Sequence, residues 1–439
     1  MLKYLKLTNV GPAPTMELEL GKRLNLLTGD NGLGKSFLLD IAWWALTRKW
    51  PAEINPRITT GLMATPTTAA KATVEFSFTS KVRTEDYAST FDRRVQAWTG
   101  RAGRPSNPGL VLYAQVDGSF AVWDPARNYW RRKGDIDVQD RQPAYIFSPR
   151  EVWDGLRDEE RGLLCNGLIM DWSGWQKERG YTFNSLSSVL SALSPSEEER
   201  IEPGGLSRVS LDDPRDIPTL RMAYGQLVPV LHASAGIRRI LALAYLLVWT
   251  WEEHRKASKL LGVKTASQVI FLIDEIEAHL HPKWQRGIVK ALLSVMDSLT
   301  AAPPFKLIPT ANVQVIATTH SPLILASVEP FFDSTTDAWF DLDFVTDKAG
   351  KAEVQLHKRP FLRRGDASNW LTSEAFDLES ARSVEAEEVL RDAAQAMSSK
   401  DFGYKQAKEL DAKLRRVLSD TDPFWMRWRF VAEKKGWLQ

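Results

Sequence analysis

The sequence contains very little cysteine and almost no net charge. Cys165 is the one cysteine among 439 residues. This excludes an intrachain disulfide framework and a multi-cysteine metal site, and it suits a reducing compartment. Lys and Arg total 57 and Asp and Glu total 55, which gives a formal net charge of +2. This balance excludes a chain that binds nucleic acid through its overall charge, so any such contact must come from a local patch.

Long hydrophobic runs are also absent. The longest apolar run covers residues 240–251, whereas a membrane-spanning helix needs about 20 residues, so we predict a buried core helix there. The N-terminal segment lacks the apolar core and small-residue cleavage site of a secretory signal. We therefore expect a cytoplasmic protein with no membrane partner. Hydrophobic residues make up 44% and charged residues 26%, which is typical of globular proteins rather than of disordered chains.

The most specific motif is a glycine-rich loop near the N-terminus. Residues 29–36 read GDNGLGKS and match the phosphate-loop pattern G-x-x-x-x-G-K-[ST] between a predicted strand and a predicted helix. In such a loop the backbone N–H groups curl around phosphates, the lysine reaches the β- and γ-phosphates, and the serine hydroxyl holds Mg²⁺. The predicted nucleotide-binding residues are Gly29, Asn31, Gly32, Gly34, Lys35 and Ser36, with Ser36 also a metal ligand.

A second motif is an apolar run that ends in two carboxylates. Residues 269–275 read VIFLIDE, which favours a buried strand whose acidic end faces a site. Asp274 is predicted to hold the Mg²⁺ hydration shell, and Glu275 is predicted to orient or deprotonate an attacking water. The alternative is an acidic pair that caps the following helix.

Two weaker motifs complete the set. His320 follows another apolar run, 313–318, and could bond a γ-phosphate, because ligands of open α/β sheets bind at the carboxyl ends of strands. The alternative is a structural histidine. Ser234 and Gly236 stand at the start of the apolar helix, where they could form an anion-binding end or an ordinary helix cap.

The order of these four motifs resembles the ATP-binding-cassette superfamily. Within it the sequence is similar to the SMC- and RecF-type branch, which includes ATPases of the overcoming-lysogenization-defect family. The resemblance covers about residues 1–50, 140–160 and 220–330. It implies an α/β fold: an ATP-binding-cassette head of the P-loop NTPase type, with an antiparallel subsheet, a helical lobe and a small helical C-terminal cap.

The resemblance also implies roles for the candidate residues. Ser234 and Gly236 would belong to the signature motif, which reaches across a head-to-tail homodimer to the ATP held by the partner's phosphate loop. His320 matches the switch histidine, and hydrolysis through Glu275 would release the dimer. The implied cofactors are ATP and Mg²⁺. The family also places a metal-reading glutamine after the strand that precedes the helical lobe, but no glutamine follows the strand predicted over 144–147.

Four regions are predicted along the chain. Residues 1–147 form the N-terminal half of the head with the phosphate loop and the antiparallel subsheet, and residues 148–230 form the helical lobe. Residues 231–335 form the C-terminal half of the head, and residues 336–439 form a strand-and-helix region that could dock a partner. The tail DPFWMRW, residues 422–428, suits either a partner anchor or a plug that packs on its own domain.

The functional prediction depends on two features that are missing. No heptad run separates the phosphate loop from the signature, which argues against a chromosome-tethering role. Asp341 and Asp343 lie outside any glycine-rich acidic module, so we expect the effector on a separate chain. The build resembles standalone ATPases of two-gene anti-phage systems such as Septu, whose partner is an HNH nuclease. We predict a Mg²⁺-dependent ATPase whose ATP-bound dimer regulates such an effector. The alternatives are a RecF-like repair or replication clamp on duplex DNA and an ATP-locked scaffold.

Overall fold

A computed structural model describes residues 1–80, 84–100, 106–139, 144–300, 312–346, 352–399 and 402–437, with the backbone alone at 136 and 137. Two compact units divide the chain, Met1–Gly365 and Asp366–Gln439. The predicted α/β fold is confirmed. Within the described residues no helix is long and apolar enough to cross a membrane.

The first unit contains strands and helices, numbered here in chain order. The strands are β1 (Leu2–Thr8), β2 (Thr15–Glu19), β3 (Leu24–Gly29), β4 (Thr73–Thr79), β5 (Thr84–Asp92), β6 (Ala97–Trp98), β7 (Leu110–Ala114), β8 (Phe120–Trp123), β9 (Trp130–Lys133), β10 (Ile136–Gln139), β11 (Ala144–Phe147), β12 (Leu156–Asp158), β13 (Gly162–Cys165), β14 (Glu202–Ser207), β15 (Ile217–Arg221), β16 (Leu227–Pro229), β17 (Gln268–Ile273), β18 (Asn312–Thr318), β19 (Ala338–Thr346) and β20 (Ala352–Arg359). The helices are α1 (Lys35–Thr47), α2 (Pro51–Ile54), α3 (Pro149–Asp154), α4 (Gly167–Glu178), α5 (Tyr181–Ala192), α6 (Ala235–Leu260), α7 (Pro282–Gln285), α8 (Ile288–Thr300) and α9 (Pro322–Val328).

The central sheet has the order β11-β8-β7-β17-β18-β3-β19-β20. The pairs from β7 to β19 are parallel, and the strands at both margins are antiparallel. In β17 every residue after Gln268 is buried, as expected for a parallel strand covered on both faces. The carboxyl ends of β3, β17 and β18 therefore meet at one edge, where three of the predicted motifs begin.

A second, antiparallel sheet has the order β2-β1-β4-β5-β6. One core cluster joins residues of this sheet, of α1 and of the central sheet. Trp43 of α1 and Phe76 of β4 are among its fully buried side chains. The helix that follows the phosphate loop is thus held on several sides by apolar contacts, which fixes the position of its N-terminus.

The helical lobe contains more strand than the sequence indicates. The stretch 210–229 includes β15 and β16, and these pair with β14 in an antiparallel sheet. Pro203, Pro218 and Pro229 lie inside these strands. Proline usually indicates a turn or an edge position, so the sequence pattern conceals these strands.

The second unit is helical. Its helices are α10 (Ala367–Leu371), α11 (Val384–Ser398), α12 (Tyr404–Val417) and α13 (Phe424–Lys434). Trp425 and Trp428 are buried in its core, and Trp428 Nε1 donates to Asp411 Oδ1 at 2.9 Å. These two indoles therefore plug their own unit, while Met426 and Phe430 on the same helix are exposed.

The boundary between the units differs from the predicted start of the C-terminal region at 336. Strands β19 and β20 lie beyond 336 but extend the central sheet, because β19 pairs in parallel with β3. The boundary falls between Gly365 and Asp366. The division of the head into three parts remains a prediction.

Candidate functional site

The phosphate loop is shaped by glycines in the left-handed region. Gly29, Gly32 and Gly34 have φ of 127°, 80° and 97°. A Cβ atom at Gly29 would lie 2.3 Å from the Leu342 carbonyl oxygen, and one at Gly34 would lie 2.7 Å from Pro12 Cγ. Two of the three glycines are therefore required by space as well as by conformation.

Helix α1 begins directly after this loop. No side-chain hydrogen bond caps its N-terminus at Gly34, which leaves backbone N–H groups and the positive end of the helix dipole for an anion. Lys35 Nζ donates to the carbonyl oxygens of Gly29 and Asp30, each at 2.7 Å. Burial lowers the pKa of Lys35, and the Glu275 carboxylate opposes that shift.

Asp274 joins three elements at the sheet edge. Its Oδ1 accepts from Ser36 Oγ of α1 at 3.0 Å and from Thr318 Oγ1 of β18 at 2.8 Å. Burial raises the pKa of Asp274, and the hydrogen bonds from the two hydroxyl groups oppose part of that rise. The predicted metal residues Ser36 and Asp274 are thus in direct contact.

These oxygens fit a magnesium ion, which prefers hard oxygen ligands and keeps several waters. Gln115 follows β7, and Ala114 pairs with Ile273, so Gln115 stands level with Asp274. Its side chain is buried beside Tyr113. A buried amide level with Asp274 is a candidate ligand group for a hydrated cation.

Gln115 is a candidate site residue that the sequence motifs do not indicate. The resemblance implies a metal-reading glutamine after the strand that precedes the lobe, and none follows the strand at 144–147. That strand, β11, is an antiparallel edge strand, whereas β7 is the parallel neighbour of β17. The available signal was the apolar run LVLYA directly before Gln115.

The two predicted catalytic residues face each other. His320 Nε2 lies 4.0 Å from Glu275 Oε1. Glu275 has a positive φ of 45°, and its N–H donates to Thr318 Oγ1 at 2.7 Å. A non-glycine residue held in this conformation stores strain, and such residues cluster at functional sites. Burial, and then the Lys35 ammonium, lower the pKa of His320, which favours its neutral imidazole form.

The signature residues lie at the start of α6. Ser234 is exposed, and its Oγ accepts the N–H of Ile237 at 3.4 Å. A Cβ atom at Gly236 would lie 2.6 Å from the His279 carbonyl oxygen, so this glycine permits close packing against the loop after Glu275. The structure therefore supports the helix-cap interpretation for Ser234. The Ser234 side chain is also exposed to solvent.

Arg239 connects α6 to the rest of the site. It donates from Nη1 to the Gln115 carbonyl oxygen at 2.8 Å and from Nη2 to that of Asp274 at 3.4 Å.

The structure thus gathers Lys35, Ser36, Asp274, Glu275 and His320 at one edge. Among the described residues, no hydrogen bond joins Ser234 to the phosphate loop.

The carboxylates considered for a nuclease are engaged elsewhere. Asp341 Oδ1 accepts from Thr28 Oγ1 at 2.7 Å, and Asp343 pairs with Arg359. Arg359 Nε also lies 3.7 Å from Asp341 Oδ2. Their positive partner is an arginine within the sheet, and in the described part of the chain no three His, Cys, Asp or Glu residues form a metal cluster.

A family model and several known proteins match this chain. The family model described as "AAA domain, putative AbiEii toxin, Type IV TA system" matches residues 24–326, more than half of the chain. The "Retron Ec83 probable ATPase" of Escherichia coli is 28% identical over 170 residues, which are 38% of this chain and 26% of that protein. The chain therefore matches only about a quarter of that relative.

Two further matches cover more of the chain. The "Septu protein PtuA" of Bacillus thuringiensis is 21% identical over 328 residues, 73% of this chain and 72% of that protein. The SMC head domain from Thermotoga maritima is 15% identical with a TM-score of 0.37, covering 81% of this chain and 98% of that one. The resemblance predicted from the order of the motifs is confirmed by the family and Septu matches.

Proposed function

Because this chain belongs to the family of AAA domains described as "putative AbiEii toxin, Type IV TA system", we propose that it is a Mg²⁺-dependent ATPase whose ATP-bound dimer regulates a separate effector in anti-phage defence. One observation carries the ATPase assignment. Lys35 and Ser36 of the phosphate loop, Asp274 and Glu275 after β17, and His320 after β18 converge at one edge of a parallel sheet.

The chain supplies positioning and charge for phosphoryl transfer to water. The uncapped start of α1 and Lys35 bind the phosphates. Glu275 orients the attacking water or accepts its proton, and neutral His320 can donate a hydrogen bond to the γ-phosphate. Ser36, Asp274 and Gln115 would hold Mg²⁺, which neutralises developing charge on the phosphate oxygens.

The exposed start of α6 supports a composite site in a dimer. Ser234 presents its hydroxyl to solvent at the N-terminus of a 26-residue helix, where the dipole favours an anion. In a two-fold, isologous dimer each Ser234 would face the ATP bound by Lys35 of the other copy. ATP would then hold the two copies together, and hydrolysis would release them.

The similarity to the Septu protein PtuA and to a retron ATPase supports a role in defence. The ion-paired state of Asp341 and Asp343 supports an effector on another chain rather than within this one. We propose a nuclease of the HNH type as that effector.

Two substitutions test the ATPase assignment. Lys35→Ala should abolish nucleotide binding, because it removes the cation buried beside the loop. Glu275→Gln should bind ATP but stall as a dimer, with hydrolysis lowered by a factor of about 10² or more. Glu19→Gln, an exposed carboxylate on β2, is the control and should behave like the wild type. Wild-type turnover in Glu275→Gln would remove Glu275 from the mechanism.

The effector is tested by purifying the tagged chain from its native host with ATP and Mg²⁺, with and without nuclease treatment, and identifying co-purifying proteins by mass spectrometry. A stoichiometric nuclease that survives the treatment is the expected result. Recovery of DNA with replication or repair proteins, lost on nuclease treatment, would instead support a DNA clamp.

A further inference from the structure

A third carboxylate near β17 contacts the backbone of the switch histidine. Glu277 Oε1 accepts the N–H of His320 at 2.5 Å, and its Oε2 accepts from Thr319 Oγ1 at 2.7 Å. The two partners are 43 and 42 positions away in sequence. One carboxylate therefore uses both oxygens to hold two consecutive residues at the end of β18.

The other hydrogen bonds between these loops involve neighbours of His320 rather than His320 itself. The Thr318 hydroxyl accepts the Glu275 N–H, and the Thr318 carbonyl accepts the Ile276 N–H at 3.1 Å. On the far side, Ser321 Oγ donates to Gln285 Oε1 at 2.6 Å. Among the described residues, Glu277 is the side chain that hydrogen-bonds the main chain of His320 itself.

We propose that Glu277 is a positioning residue that fixes His320 relative to Glu275, and so controls the rate of ATP hydrolysis but not the affinity for ATP. The inference rests on the proposed ATPase function. Its physical basis is that two donors require two acceptors. A carboxylate offers both, whereas a glutamine would turn its NH₂ group toward one of the donors and lose that bond.

Steady-state kinetics of Glu277→Gln test the effect on rate. We expect kcat to fall by about tenfold or more while KM and the Kd of a non-hydrolysed ATP analogue stay within about twofold. Thr319→Val removes one donor and leaves the bond to His320, so its loss should be clearly smaller. Glu277→Asp, which keeps both acceptors on a shorter side chain, should recover part of the rate.

A double-mutant cycle tests the route of action. In a His320→Ala background, Glu277→Gln should lower kcat no further, because the group that it positions is gone. Equal losses in both backgrounds would contradict the proposal, and so would a loss of ATP affinity with kcat unchanged.

A readout without hydrolysis separates this inference from the ATPase assignment. The chain has six histidines, so selective isotope labelling gives few imidazole NMR signals, and that of His320 is identified by its loss in His320→Ala. Glu277→Gln should move this signal and leave the other five in place. If wild-type protein binds but does not hydrolyse ATP, the proposed function fails while this measurement still decides the contact. An unmoved His320 signal would overturn the positioning role.

Discussion

At the scale of single residues, Asp40 of α1 is a half-buried carboxyl whose pKa is raised toward neutrality. It lies one turn after Ser36 on α1 and accepts a hydrogen bond from Tyr113 Oη at 3.0 Å. Burial raises the pKa of Asp40 to about 7, the Tyr113 bond opposes this, and the charge of Asp274 adds to it. The folded chain therefore retains a proton that the unfolded chain releases near pH 4.

Asp40→Asn should weaken the pH dependence of stability. Between about pH 4 and 7 the folded state holds one more proton than the unfolded state, so the free energy of unfolding falls as pH rises, by at most about 1.4 kcal/mol per pH unit. Asp40 is partly accessible, so the observed slope will be smaller. Denaturant unfolding at pH 5 and pH 7.5 measures it. Tyr113→Phe, which removes the opposing bond, should make the slope steeper, and an unchanged slope in both variants would contradict this assignment.

The residues of the site were predictable to different degrees for a physical reason. Lys35, Ser36, Asp274 and Glu275 stand in short local patterns whose chemistry is fixed by neighbouring residues. The positions of Gln115 and Glu277 depend on segments that are distant in sequence and that folding brings next to them. Gln115 stands level with Asp274 because β7 pairs in parallel with β17, and Glu277 contacts residues 42 and 43 positions away. No local pattern records such distances.

At the scale of elements, the start of α6 depends on close contact with the loop after Glu275. Gly236→Ala would place a methyl group 2.6 Å from the His279 carbonyl oxygen, so the helix or the loop must move. We expect a loss of about 1–3 kcal/mol in stability and lower ATPase activity, with nucleotide binding retained because the phosphate loop is untouched.

A matched glycine provides the control for that substitution. Gly174 lies inside α4, and a Cβ atom there would meet nothing within 4 Å. Gly174→Ala should therefore stabilise the chain by up to about 1 kcal/mol, since alanine favours helix. Thermal unfolding and ATPase assays compare the two variants. If Gly236→Ala were as stable and active as Gly174→Ala, neither stability nor ATPase activity would depend on the close packing of α6 against His279.

The elements themselves were predicted well where periodicity was undisturbed. The apolar runs of β17 and β18 match their observed burial. The lobe strands β15 and β16 were missed because Pro218 and Pro229 suggest loops, although cross-strand pairing tolerates them there.

At the scale of the whole molecule, the proposed dimer would build each ATP site from residues of two copies of the chain. If each ATP lies between Lys35 of one copy and Ser234 of the other, the two halves of a site come from different chains. Lys35→Ala destroys the phosphate-loop half. Ser234→Arg blocks the signature half at an exposed helix cap, where losing the cap costs folding only about 1 kcal/mol.

Mixing the two inactive variants should therefore restore ATPase activity. A mixed dimer contains one site with both Lys35 and Ser234 intact and one site with neither. With equal amounts and free exchange, half of the dimers are mixed, so we expect about a quarter of the wild-type rate. A control chain that carries both substitutions should restore nothing when it is mixed with either single variant, because no such dimer contains a complete site. Activity that stays at background in the first mixture would argue against a composite site that turns over independently.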